Sequence, residues 1–189
     1  KKITKAMKMV AAAKVKKAEN TVKAARPFSD ELLHLFRKML ATVGEYSVAG
    51  LHVQRALDNY PELLEKRDIK TEGLLVITSN KGLAGAYNSN IIKTAIARIR
   101  ANKERGVNTV IYPVGQKAVS AFKHAGKYFE LKEGYISIAN DPTATGANII
   151  AEDIAEDFVS GHIDKIDIIT THFNLSLIHI SEPTRLLSI

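Results

Sequence analysis

Apolar residues recur in steps of three and four at the start of the chain, at Ile3, Met7, Ala11, Val15, Ala18, Val22 and Ala25. That spacing lays one stripe along a helix. The stripe is rich in alanine, which leaves room for the close approach of a second helix. Pro27 removes one backbone hydrogen bond, so it bends or breaks the helix there. The same period resumes with Phe28, Leu32, Leu35, Phe36, Met39, Leu40 and Val43. Ser29 is placed to cap a new helix, and a bent continuous helix fits equally well. A continuous helix to Asp58 would be roughly 85 Å long. A domain of this size does not enclose such a rod, so residues 1–58 read as a shaft that packs on something else.

After it the texture changes. Residues 59–72 are polar and hold Pro61, as a linker does. Residues 73–79 (GLLVITS) form a continuous apolar run, suited to a strand buried on both faces. Residues 82–105 read as a helix with Ala86, Ile91, Ile92, Ala95, Ile96 and Ile99 at core spacing. A strand over 108–114 and a short helix over 116–124 follow. Residues 128–138 are extended or looped. Residues 143–161 read as a helix with Ile149, Ile150, Ile154, Ala155, Phe158 and Val159 inward, and 165–171 as another buried strand. Strands alternating with helices predict an α/β fold: a small parallel sheet of three to five strands over 73–174, beside the long N-terminal coiled-coil helix.

Charge sharpens this picture. The 189 residues carry a net +7, yet residues 1–26 hold nine basic side chains and one acid, Glu19. A solvated helix usually mixes signs to gain i,i+4 pairs. The single sign points to a partner surface of opposite sign. No aromatic residue precedes Phe28, so no base-stacking platform is interleaved with the charge, which argues against nucleic acid. A basic arm that binds nucleic acid stays open as an alternative. Cysteine is absent, which excludes disulfides and thiolate metal sites. No apolar run approaches the 18 or so residues needed to span a bilayer, so direct membrane insertion is not expected. The chain starts at Lys1 without a methionine, and an upstream segment is expected.

Candidate chemistry is sparse. The stretch SNKGLAGAYN (79–88) follows the first strand and opens a helix, the place where dinucleotide enzymes hold a phosphate. Its glycines, Gly82 and Gly85, are spaced G-x-x-G, which is neither the Rossmann fingerprint nor a P-loop. The plainer reading is a tight structural turn with Gly85 there for close packing; a phosphate-binding α/β enzyme is the alternative. His34, His52, His124, His162, His172 and His179 show no ligand-like spacing. Glu152, Asp153, Glu156 and Asp157 read as a solvated helix face. No serine has nucleophile-elbow context. No catalytic, cofactor-binding or metal residue is expected.

Three segments carry a resemblance. KITKAMKMVAAAK (2–14), ITSNKGLAGAYNSNIIK (77–93) and DKIDIITTHFN (164–174) resemble the gamma subunit of F-type (rotary) ATP synthases. The resemblance covers about residues 1–174. It implies a non-catalytic rotor shaft without a cofactor. In that family the N- and C-terminal helices wind into an antiparallel coiled coil inside a ring of alpha and beta subunits. The α/β domain sits near the epsilon subunit and the membrane c-ring. The implied location is peripheral, on the cytoplasmic face of the bacterial plasma membrane or its organellar equivalent. By the same resemblance Lys5, Lys8 and Lys14 would meet acidic loops of the beta subunits. Met7, Met9 and Val10 would form an apolar bearing, and Ile3, Met7, Ala11, Val15, Ala18 and Val22 the coiled-coil seam. The chain departs from the pattern in lacking the first part of the N-terminal helix and the whole C-terminal helix. Residues 175–189 (LSLIHISEPTRLLSI) do not match the family's continuation. They resemble a translated sequencing adapter, and a non-native tail is expected there.

Overall fold

A computed structural model describes residues 2–45, 67–82, 84–125, 128–140, 142–171 and 185–188, with side-chain surroundings for all of these except 2, 3, 36, 39–45 and 185–188. The chain divides into two units, Lys1–Tyr60 and Pro61–Ile189.

The first unit contains α1, Lys2–Glu45, a single helix of 44 residues. Its length is about 66 Å at 1.5 Å per residue. Pro27 lies inside it and does not end it. Alanine, lysine, leucine and methionine on either side are strong helix formers, and they carry the helix across one missing N–H. Ser29 does not cap a second helix. Its hydroxyl donates to the Ala25 carbonyl at 3.3 Å, an interior position four residues back. The remainder of the expected shaft, residues 46–58, lies outside the described residues, as does the linker over 59–66.

The second unit is the α/β fold. Its elements are β1 (Thr71–Ile77), α2 (Tyr87–Glu104), β2 (Asn108–Val114), α3 (Gln116–Lys123), β3 (Glu130–Leu131), α4 (Ala144–Val159), β4 (Lys165–Thr170) and β5 (Arg185–Ser188). The sheet order is β3-β2-β1-β4-β5. The first four strands are parallel, with Leu74 opposite Ile111 and Leu75 opposite Ile168. The sheet is mixed rather than purely parallel, because β5 runs antiparallel to β4. Residues 185–188 of the expected tail thus pair in regular register; residues 172–184 and 189 lie outside the described residues. An open sheet edge presents unpaired N–H and C=O groups that take up an extended segment through backbone alone.

Helices cover both faces, which is why β1 and β2 read as unbroken apolar runs. On one face Leu74, Val76, Ile111 and Ile169 pack against Ile91, Ala95 and Ile99 of α2 and Ala118 and Phe122 of α3. On the other, Leu75, Val110, Tyr112 and Val114 pack with Ile150 of α4 and Ile163.

Several boundaries shift. β1 begins at Thr71, so the linker does not extend to residue 72; Glu72 is 1% exposed inside the sheet. A charge at that point looks like a boundary in sequence, but here it is matched by the half-buried Arg98 and Lys165. α2 starts at Tyr87 rather than at residue 82, and Ala86 is exposed ahead of it. In α4, Ile149 and Val159 face solvent, at 46% and 44% exposure, while Ile150, Ile154 and Phe158 face the sheet. Neighbours on a helix are 100° apart, and Ile149 lies at the wrong side of that step. The ambiguous stretch over 128–138 supplies the short strand β3 and a bridge from Tyr135 to Val114.

Candidate partner surface and the strand-end turn

Along α1 every described side chain over residues 4–35 is exposed except Glu19 and Arg26, which are half-buried. The large apolar groups are in the open: Met7 is 61% exposed, and Met9, Val10 and Val15 are similar. Val22 is exposed too, as are Phe28 (73%), Leu32, Leu33 and Leu35 beyond it. Ala11 and Ala18 continue the stripe between them and are also exposed. Leaving such groups in water forgoes about 25 cal/mol per Å² of apolar surface. Exposed apolar rows of this kind are characteristic of interaction surfaces, which makes α1 the candidate here.

The cations lie over the same helix. Lys5, Lys8 and Lys14 are exposed and make no ion pair among the described residues. Lys16 and Lys23 both reach Glu19, at 3.5 and 2.6 Å. The hydrogen bond from Lys23 comes first among the influences that hold the Glu19 carboxyl below its ordinary range, with Lys16 adding to it.

The turn after β1 is built differently from a phosphate cradle. The Ser79 N–H donates to Asn88 Oδ1 at 3.0 Å, and Asn88 Nδ2 donates to Ser79 Oγ at 2.9 Å. Leading N–H groups of α3 are also engaged from within: Gln116 to Asn80 Oδ1 at 2.7 Å, Lys117 to the Ser79 carbonyl at 3.2 Å, and Ala118 to Thr78 Oγ1 at 2.9 Å. These are donors an anion would otherwise claim. Gly85 is not there for close packing. Its φ is +55°, and an added Cβ would meet nothing within 4 Å. It is there because a left-handed backbone favours glycine. Gly82 has open room as well, with the Lys117 side chain 3.8 Å from an added Cβ. The tight approach belongs to Gly115, which the sequence pattern did not mark. Its φ is +90°, and a Cβ would fall 2.4 Å from the Thr78 carbonyl oxygen.

A buried charged cluster lies between α2 and the sheet. Arg98 donates from Nε to Glu72 Oε2 at 2.8 Å and from Nη2 to both Glu72 and Asp167, the latter at 3.1 Å. Asn102 bridges Glu72 and Thr109. Lys165 Nζ stands 2.8 Å from Asp167 Oδ1, in ion contact without hydrogen-bond alignment. Burial pushes the Glu72 carboxyl up, but hydrogen bonds from Arg98 and Asn102 and the charges of Arg98 and Lys165 outweigh it and hold it low. On the opposite face Tyr112 donates to Asp157 at 2.6 Å, and Lys132 reaches the same carboxylate at 2.8 Å. Asp157 is therefore a structural partner; Glu152, Asp153 and Glu156 do form an exposed face. His162 pairs with Glu130 at 3.0 Å, beside an open groove of about 730 Å³ at the N-terminal edge of β1 and β2. His34 and His124 are exposed; His52, His172 and His179 lie outside the described residues.

A 44-residue helix, exposed along most of residues 4–35, thus shares one chain with an α/β sheet covered on both faces. The family profile described as ATP synthase matches residues 1–189, and the chain belongs to that family. Its curated relatives include the ATP synthase gamma chain of a Synechococcus species, 37% identical over 172 residues, covering 91% of this chain and 51% of the relative. The ATP synthase gamma chain of Gloeobacter violaceus is 36% identical over 184 residues, covering 97% and 54%. That of Synechococcus elongatus is 37% identical over 183 residues, covering 94% and 52%. The chain thus spans about half the length of the curated relatives it matches. Among solved structures, the central stalk and c-ring of the Tetrahymena thermophila mitochondrial ATP synthase aligns with a TM-score of 0.47 and 22% identity, covering 83% of this chain and 69% of that one.

Proposed function

We propose that this chain is part of the central rotor shaft of an F-type ATP synthase, coupling proton flow through the membrane sector to ATP synthesis or hydrolysis at the beta subunits. The observation that carries it is α1: 44 residues of helix with methionine, valine and leucine in solvent and, up to Arg26, basic side chains with Glu19 as the one acid, in a chain of the ATP synthase family. Lys5, Lys8 and Lys14 meet acidic loops of the beta subunits by attraction that weakens with salt. Met7, Met9 and Val10 form the bearing, where adaptable thioethers accept a changing contact. Ile3, Met7, Ala11, Val15, Ala18 and Val22 form the seam for a second helix. Rotation couples the beta sites through a rigid element. The chain itself is non-catalytic. It sits peripherally on the cytoplasmic face of the bacterial plasma membrane, with the epsilon subunit and the c-ring as neighbours of its α/β unit.

Co-purification with alpha and beta subunits tests this directly. The expected result is a complex that loosens as salt rises, and no ATP binding by the isolated chain in equilibrium dialysis. Retention of ATP by the isolated chain, with no capture by alpha and beta subunits, would overturn it in favour of a phosphate-binding turn at 79–88. Salt-sensitive binding to duplex DNA tighter than to those subunits would overturn it in favour of a nucleic-acid arm.

A further inference from the structure

We infer that Glu19 is an internal counter-ion that withdraws Lys16 and Lys23 from partner contact, so that α1 offers its cations to an acidic protein surface at Lys5, Lys8, Lys14 and Lys17. This rests on the reading of α1 as a shaft that meets such a surface. Glu19 is the single acid among the ten charged residues of 1–26. Its side chain is only 19% exposed on a helix whose neighbours stand in solvent. Lys23 covers it at 2.6 Å and Lys16 at 3.5 Å. The Glu19–Lys23 order, acid four residues ahead of base, is the favourable i,i+4 arrangement on a helix. Lys5, Lys8, Lys14 and Lys17 have no ion pair among the described residues. A cation already paired gains less from an external carboxylate, because it must first release the one it holds. Among Lys5, Lys8, Lys14, Lys16, Lys17 and Lys23, the cations left to attract a partner are therefore the first three and Lys17. Around residue 19 the one carboxylate offsets part of the charge of Lys16, Lys17 and Lys23 and leaves a net +2 there.

Two single variants of equal net charge test this: Lys23→Gln and Lys8→Gln. The first removes a cation that Glu19 already holds and leaves Glu19 beside Lys16; the second removes an available cation. Binding of each full chain to the alpha–beta assembly is measured at low and high salt, with helix content checked by circular dichroism. The first is expected to bind as the parent does, and the second about twofold more weakly at low salt, on the scale of one exposed charge contact. Equal affinities of the two single variants would overturn the inference. An independent reading comes from NMR titration of the Glu19 carboxyl in the chain alone. It is expected to titrate below the ordinary glutamate value of 4.5 and to rise when Lys23→Gln is introduced. An ordinary value untouched by Lys23→Gln overturns the role of Glu19 whatever the partner is. A confirmed pair in a chain that shows no salt-dependent capture overturns the shaft reading instead.

Discussion

Glu72, Arg98 and Asp167 show what a single side chain does to this fold. Arg98 joins two carboxylates that are almost fully buried, with Lys165 closing the far side. Arg98→Ala would leave both acids short of a counter-charge, and removing one partner of a buried pair costs about 3 kcal/mol. Urea unfolding of the variant should show a loss of that order. The same cluster sets an acid limit. Glu72 titrates lower in the folded chain than its ordinary 4.5. A depressed folded value means its contribution is complete above about pH 4.5 and is lost as pH falls through the folded value. Asp157, held low by Lys132 and Tyr112 against the upward push of burial, works in the same direction. Urea midpoints measured from neutral pH downward should fall below pH 4.5, and Glu72→Gln should flatten part of that slope. The two glycines of the strand-end turns differ in kind. Gly115→Ala meets both strain and the Thr78 carbonyl, whereas Gly85→Ala meets strain alone. The expected losses are about 3 kcal/mol and about 1 kcal/mol, read from the same urea curves.

At the scale of elements, α1 and α4 contrast. α4 has a cap and a core: Thr143 Oγ1 accepts from the Gly146 N–H at 3.1 Å, and Ile150, Ile154 and Phe158 face the sheet. α1 buries no side chain fully over residues 4–35, and Pro27 removes the N–H that would have met the Lys23 carbonyl. A proline in a helix interior is worse than alanine by about 3 kcal/mol. Pro27→Ala should therefore raise the helical circular dichroism signal of the chain and delay its thermal loss, while leaving the α/β transition in place. A drop in helix content would mean that the proline serves the local geometry of the helix.

For the whole molecule, the two units differ in what they bury: the second has a core on each face of its sheet, whereas α1 leaves its large apolar groups in solvent. Met7→Lys adds a charge to the proposed bearing at a site 61% exposed in the chain. The chain's own stability should change little. In the assembled enzyme, ATP-driven proton pumping should fall more than ATP hydrolysis or subunit co-purification. Equal loss of assembly and of coupling would argue that Met7 serves docking rather than bearing.

What the chain determines unaided is periodic and local. The 3.6-residue stripe of α1, the apolar runs of β1 and β2 and the charge imbalance of residues 1–26 are properties of neighbours in sequence. They suffice for the α/β class and for a rod left outside the core. The continuity of α1 through Pro27, the start of β1 at Thr71 and the outward turn of Ile149 were not legible in the same way. Each depends on a competition that pattern alone does not weigh: helix propensity against one missing N–H, or a buried glutamate against the arginine that meets it. The Glu72–Arg98–Asp167 cluster draws on residues up to 95 positions apart, and only the pairing of β1 with β4 brings them together. The close approach at Gly115 arises because parallel pairing sets the end of β2 beside the Thr78 carbonyl. Periodicity reports which face of an element is apolar; contacts between distant elements, and the charges they neutralise, exist only once the sheet has formed.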